Sequence, residues 1–260
     1  MAKWHFWGEK EFSDVYENIY IRGLNEDWLN IVFSIAKEIS NYKPFNKKIR
    51  LLDIGCGEGH TTKQILDRVE RPYICDLVEP NKDALAIAEA NLTPENNIRT
   101  IYNRLLATFQ PEHKYDIIFT IHTNYYWSLN EKDYQEQLKK LMGLLDKGGK
   151  LLILTLPEES DHYKIMLRKI YPEFNYAQYI IDFYKKLKFN NRIMKLKMRI
   201  YIGDILSTKK LFDLKSFYRF IHNTNLYPCE KESKKFLDKI KKHQKNNYLD
   251  FKDYLIIVTK

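Results

Sequence analysis

A short apolar run, Ile49–Ile54 (IRLLDI), passes directly into three glycines at alternate positions, Gly55, Gly57 and Gly59, within LLDIGCGEG. Continuous apolar character over six residues predicts a strand buried on both faces. Such a strand needs helices on both sides of a parallel sheet. Glycines at its end allow a tight turn and a close approach of backbone to a ligand.

The rest of the chain alternates in the same way. Strands are predicted at Tyr73–Val78, Asn97–Tyr102, Tyr115–Ile121 and Lys150–Thr155. Helices are predicted at Asn25–Ile39, His60–Val69, Asp83–Asn91 and Glu131–Leu145, the last stopped by Gly148-Gly149. From Pro157 to about Lys195 the pattern turns helical and aromatic. Met198–Gly203 and Tyr254–Thr259 then read as two closing strands. At 260 residues, without an internal repeat or low-complexity linker, one domain is expected. Its parts are a helical cap over 1–46, a core over 47–156, a helical insertion over 157–196, and closing strands and helices over 197–260.

The glycine loop excludes some ligands. Its spacing is G-x-G-x-G rather than the G-x-G-x-x-G that cradles a pyrophosphate. Asp53 and Glu58 lie in or beside it, and negative charge there opposes a phosphate. No G-K-[ST] follows, so a triphosphate loop is ruled out. The second strand ends at Glu79-Pro80, 24 residues after Gly55, and a carboxylate at that tip can accept both hydroxyls of a ribose. An adenosine carrying a cationic amino-acid end fits both observations, and S-adenosyl-L-methionine is that molecule.

Four segments in order, LLDIGCGEG, Glu79, YDIIFTI and LLDKGGKLLILT, resemble class I S-adenosylmethionine-dependent methyltransferases over about residues 48–156. The resemblance implies an α/β fold: a Rossmann-like, seven-stranded, mostly parallel sheet with helices on both faces and an antiparallel last strand. It implies cofactor contacts from Asp53, Gly55, Cys56, Gly57, Glu79, Pro80, Asn103, Ile121 and His122. Asp53 and Gly55 face the methionine end, Glu79 the ribose, Asn103 the adenine, and Ile121 and His122 the sulfonium. Asn103 stands where the family commonly has an acid.

The tip of the fourth strand, Ile121-His122-Thr123-Asn124-Tyr125-Tyr126-Trp127, has no proline, which disfavours methylation of base amino groups. Its Tyr125-Tyr126 pair, with Asp204–Thr208 (DILST) and the terminal YLIIVTK, resembles histamine N-methyltransferase-like small-molecule enzymes. By position, His122 then faces substrate, and Glu26 or its neighbour Asn25 supplies an acidic contact. His122 is the candidate general base because histidine titrates in the useful range; a strand-end histidine with a satisfied hydrogen bond reads the same. Tyr125 is its catalytic companion. Tyr126 and Trp127 are candidate walls for a cation, and Tyr16 and Tyr20 belong to an aromatic N-terminus suited to a lid.

Charge admits a rival. Residues 1–130 carry 15 Lys and Arg against 18 Asp and Glu, whereas residues 131–260 carry 28 against 16, a net of +12. Tyr184–Arg199 alone has seven basic and no acidic residues. A basic half can attract RNA, which makes an RNA or ribosomal methyltransferase the alternative; a non-catalytic cofactor-binding scaffold is a second. Lysines coating a solvated face account for the same residues. No run of 18 apolar residues appears and the N-terminus lacks a signal-peptide core, so a soluble, cytoplasmic protein with a small-molecule acceptor is expected. Three cysteines without ligand spacing indicate neither disulfides nor a metal.

Overall fold

The structure, a computed structural model, describes residues 25–43, 48–92, 94–128, 130–167, 176–201 and 229–260. Helix α1 (Asn25–Ser40) leads into β1 (Ile49–Ile54), α2 (His60–Leu66), β2 (Tyr73–Val78), α3 (Lys82–Asn91) and β3 (Ile98–Tyr102). There follow β4 (Tyr115–Ile121), α4 (Glu131–Leu144), β5 (Leu145–Thr155), α5 (Tyr176–Lys186), β6 (Asn190–Tyr201), α6 (Glu230–His243) and β7 (Tyr248–Thr259). The seven strands form one sheet in the order β3-β2-β1-β4-β5-β7-β6. β1 pairs in parallel with β2 and β4, and β7 runs antiparallel to both β5 and β6. The fold class expected from sequence is the one observed.

The core explains why the apolar runs were legible. Leu51, Leu52, Ile117, Ile118, Phe119, Leu152 and Ile153 are fully buried in the three central strands. Helix α1 closes one face with an apolar stripe of Trp28, Ile31, Val32, Ile35 and Ile39. Asn81 caps α3, its side chain accepting the Asp83 and Ala84 N–H groups.

Three boundaries differ from expectation. Gly148-Gly149 does not stop a helix: α4 ends at Leu144 and the glycines lie inside β5, where the register against β4 shifts between Tyr115 and Ile117. The far end of β7 holds them, Gly148 N–H donating to the Lys260 carbonyl and Lys260 N–H to that of Gly149. Strand β6 begins at Asn190, inside the stretch read as helical to about Lys195, and β7 begins at Tyr248 rather than Tyr254. Lysines hid both. In β6 exposed Lys195, Lys197 and Arg199 alternate with Leu196 and buried Met198, an edge strand with charge on its outer face. Charged side chains on an edge block further strand pairing, so part of the basic half has a structural use.

Candidate active site

The strand order reverses between β1 and β4, and in open α/β sheets ligands bind outside the carboxyl ends of the strands at such a point. There the glycine loop meets the β4 tip. Gly55 has φ +79° and its N–H donates to the Val78 carbonyl (2.7 Å). A Cβ on Gly55 would lie 2.5 Å from Thr123 Cγ2 and 2.8 Å from Thr123 Cβ, so only glycine fits against this turn. Thr123 is itself fixed, its hydroxyl donating to the Ile54 carbonyl (3.1 Å).

Two acids stand beneath the loop. Glu79, buried, accepts the Gly57 N–H (3.1 Å) on one oxygen and the Asn81 N–H (2.9 Å) on the other. Burial raises its carboxyl, against the pull of those two bonds. Asp53 is 2 % exposed and accepts the Thr62 hydroxyl at 2.5 Å. Burial pushes its carboxyl up to about 7, opposed by the Thr62 bond and helped by the nearby Glu79 charge. Burial likewise raises the Cys56 thiol, which stays protonated.

The cleft above these groups is bounded by Gly55, Glu79, Leu106, Thr123, Tyr126 and Trp127. Pro80 also lines it. Asn103 reaches it through the backbone: its amide donates to the carbonyls of Glu79 (3.1 Å) and Pro80 (2.9 Å), holding the β2 tip in place. Of the aromatic turn, Tyr126 and Trp127 line the cleft while Tyr125 is turned inward, 1 % exposed. Gln137 supports this wall by donating to the Trp127 carbonyl (2.8 Å).

Ile121 ends β4 half-buried. His122 follows with φ +54°, a left-handed backbone that few non-glycine residues adopt. Its Nδ1 meets the Tyr125 hydroxyl at 2.9 Å, and its Nε2 lies 3.6 Å from Asp253 Oδ2. Glu26 lies in the first turn of α1. Tyr16, Tyr20 and Asp204–Thr208 lie outside the described residues.

Residues 104–107, Thr123, Gln137 and Asp253 escaped the reading of the sequence. Leu105, 46 % exposed, is a large apolar side chain left open where it borders the cleft, which the fold alone reveals. Thr123 and Asp253 carry no local signal, because their importance comes from contacts with residues far along the chain.

The Rossmann-like fold, with its cleft at the strand reversal, is of the kind found in S-adenosylmethionine-dependent methyltransferases. A family model described as a methyltransferase domain matches residues 51–149. Malonyl-[acyl-carrier protein] O-methyltransferase 1 of Ilyobacter polytropus is 26 % identical over 152 residues, 58 % of this chain and 54 % of its own. The chain thus spans about half the length of that relative. Among solved structures, the cyclopropane synthase MmaA2 of Mycobacterium tuberculosis superposes with a TM-score of 0.61 at 15 % identity, covering 96 % of this chain and 94 % of its own. The N-methyltransferase NodS of Bradyrhizobium japonicum, solved with S-adenosyl-L-homocysteine, gives 0.52 at 10 % identity, covering 94 % and 98 %. These two likenesses concern the fold alone.

The residues present fit the cofactor. Buried Glu79 lines a cleft whose glycine cradle a Cβ would fill, and buried Asp53 stands beneath that cradle. A ligand bringing a positive charge and hydroxyl donors relieves what burial imposes on both acids. Replacing Gly55 by alanine tests the cradle. The left-handed backbone and the clash with Thr123 together are expected to weaken S-adenosylmethionine binding roughly tenfold or more. Thr123→Ala in the same chain restores part of that loss. Calorimetric titration of both variants checks it, and an unchanged affinity in Gly55→Ala sinks the assignment of this cradle.

Proposed function

We propose that the protein transfers a methyl group from S-adenosyl-L-methionine to a small molecule, at an amine nitrogen, with His122 taking up the proton that the acceptor loses. The observation that carries this reading is the β4 tip. There His122, a fifth of its side chain exposed, stands beside the cleft residues Thr123, Tyr126 and Trp127. Aromatic faces attract cations, and an amine acceptor arrives as an ammonium. When bound, the cofactor supplies an electrophilic methyl on a sulfonium.

In this reading Asp53 and Glu79 hold the amino-acid end and the ribose, and Asn103 keeps the Glu79–Pro80 tip in register. Leu105 and Leu106 give the base an apolar floor. The chain's own contribution is then orientation, exclusion of water, and removal of one proton. The Tyr125-Tyr126 turn, which resembles that of histamine N-methyltransferase-like enzymes, supports an amine acceptor in preference to a base amino group. Charge on the outer face of β6 serves the sheet edge, which weakens the case for RNA.

The test is transfer of labelled methyl to a fractionated cell extract. Label in small, RNase-resistant, cation-retained material supports the proposal. RNase-sensitive label overturns it in favour of RNA, and absence of label with cofactor bound overturns it in favour of a scaffold. With the acceptor in hand, His122→Gln is expected to lower kcat about 100-fold with the cofactor Kd unchanged.

A further inference from the structure

Asp253 is a fully buried carboxylate on β7, and neither of its oxygens has a hydrogen-bond partner. It lies at the carboxyl end of the parallel strands: the next residue, Tyr254, pairs with Thr155, the last residue of β5. An uncompensated buried charge is costly, so such a group persists where it meets a cation. Among the described residues, the basic group within ion-pair distance is His122, whose Nε2 is 3.6 Å from Asp253 Oδ2 and is buried without a hydrogen bond.

The other side of the imidazole is equally built. Tyr125 is buried against it, and the Leu156 N–H donates to the Tyr125 oxygen (2.8 Å). The phenol therefore has its own hydrogen to direct at His122 Nδ1, 2.9 Å away. That leaves the hydrogen of the neutral ring on Nε2, toward Asp253. The Thr155 hydroxyl is buried near the phenol and has no hydrogen-bond partner. Burial, with the Asp253 charge second, keeps the phenol protonated. His162 also faces His122; burial takes it down to about 3, so it stays neutral and offers Asp253 no charge.

We propose that Asp253 is the counter-ion built for a protonated His122, with Tyr125, on the other side of the ring, as the group that admits the second proton. The acceptor N–H bond breaks and its electron pair stays on nitrogen to form the new bond to carbon. The methyl carbon–sulfur bond breaks with its electron pair left on sulfur, and the acceptor's proton passes to the Tyr125 oxygen as the phenol's own hydrogen moves to His122 Nδ1. The imidazolium then donates Nε2–H toward Asp253 and Nδ1–H to the Tyr125 oxygen. Asp253 touches no reacting atom and is a positioning residue. The catalytic part of this inference rests on the reading of His122 as proton acceptor; the ion pair does not.

The test uses ¹⁵N spectra of histidine-labelled full-length protein, which need no acceptor. In the wild type the neutral His122 ring is expected to carry its hydrogen on Nε2. In Asp253→Asn the ¹⁵N shift of His122 Nε2 is expected to move, because the carboxylate facing its hydrogen is gone. Tyr125→Phe keeps the Nε2–H form because Asp253 still accepts it, and this variant serves if Asp253→Asn does not fold. A neutral ring protonated on Nδ1, or an Asp253→Asn spectrum identical to wild type, overturns the proposal. Spectra as expected together with full methyl transfer by His122→Gln overturn the proton-transfer step and leave the ion pair standing. Spectra as expected with transfer lost support both.

Discussion

Asp76→Ala is expected to destabilise the protein by about 3 kcal/mol while leaving cofactor affinity unchanged below the melting temperature. Asp76 is fully buried in β2 and gathers three elements around one carboxylate. Arg99 of β3 binds it through two nitrogens, Nε to Oδ1 at 2.9 Å and a terminal nitrogen to Oδ2 at 2.5 Å. The Tyr115 hydroxyl of β4 donates to Oδ2 at 2.8 Å, and His113 reaches the same oxygen at 3.1 Å. Arg99 and His113 also touch each other. The carboxylate holds the Arg99 guanidinium charged above its ordinary range.

Removing the carboxylate leaves a buried phenol hydroxyl without its acceptor and two basic groups side by side without a counter-charge. Arg99 and His113 are each about a third exposed, at 32 % and 29 %, so water recovers part of the loss. That is why about 3 kcal/mol is expected rather than the upper end for a buried pair. A thermal melt should fall by about 10 °C for a domain of this size. A shift below about 2 °C would show that the cluster is solvated in solution and carries no stability.

The same contrast, between groups that announce themselves locally and groups defined by distant partners, explains what the sequence revealed. β1, β2 and β4 were legible because a strand buried on both faces must be apolar throughout, and the glycine loop was legible because a ligand-approaching turn excludes side chains. Glu79 followed from its place at the end of the second strand. The beginning of β5 was misread because Gly148-Gly149 has the signature of a helix stop, whereas tertiary pairing with Lys260 carries those glycines into the sheet. β6 was hidden because an edge strand shows a buried residue only at alternate positions, and its lysines look like a helix surface. His122 stood out as a histidine at a strand tip. Its relation to Asp253 joins the fourth strand to the seventh, and no spacing in the chain encodes that.

Asp53→Asn is expected to make the protein more stable at pH 8 and worse at binding S-adenosyl-L-methionine. Burial pushes the Asp53 carboxyl up from 3.8 to about 7. The folded protein therefore holds a proton between those values that the unfolded chain has already released. Stability accordingly falls as pH rises from about 4 to about 7 and is level above. A shift of about three units corresponds to ~4 kcal/mol of lost stability at pH 8. Asparagine avoids the charge and keeps an oxygen for the Thr62 hydroxyl, which now bonds Asp53 at 2.5 Å. Its amide brings two N–H donors into a buried position, at a cost of ~1–2 kcal/mol. The net expectation is a gain of ~2 kcal/mol at pH 8 that turns into a loss of about 1 kcal/mol near pH 4, read from denaturant melts at both values. On the proposed reading cofactor affinity moves the other way, falling about 100-fold, because a cationic ligand end loses a buried charge beneath the glycine loop. Equal stability of the two proteins at pH 8, with equal affinity, would mean that Asp53 is hydrated or neutral in solution and that another group receives the charge.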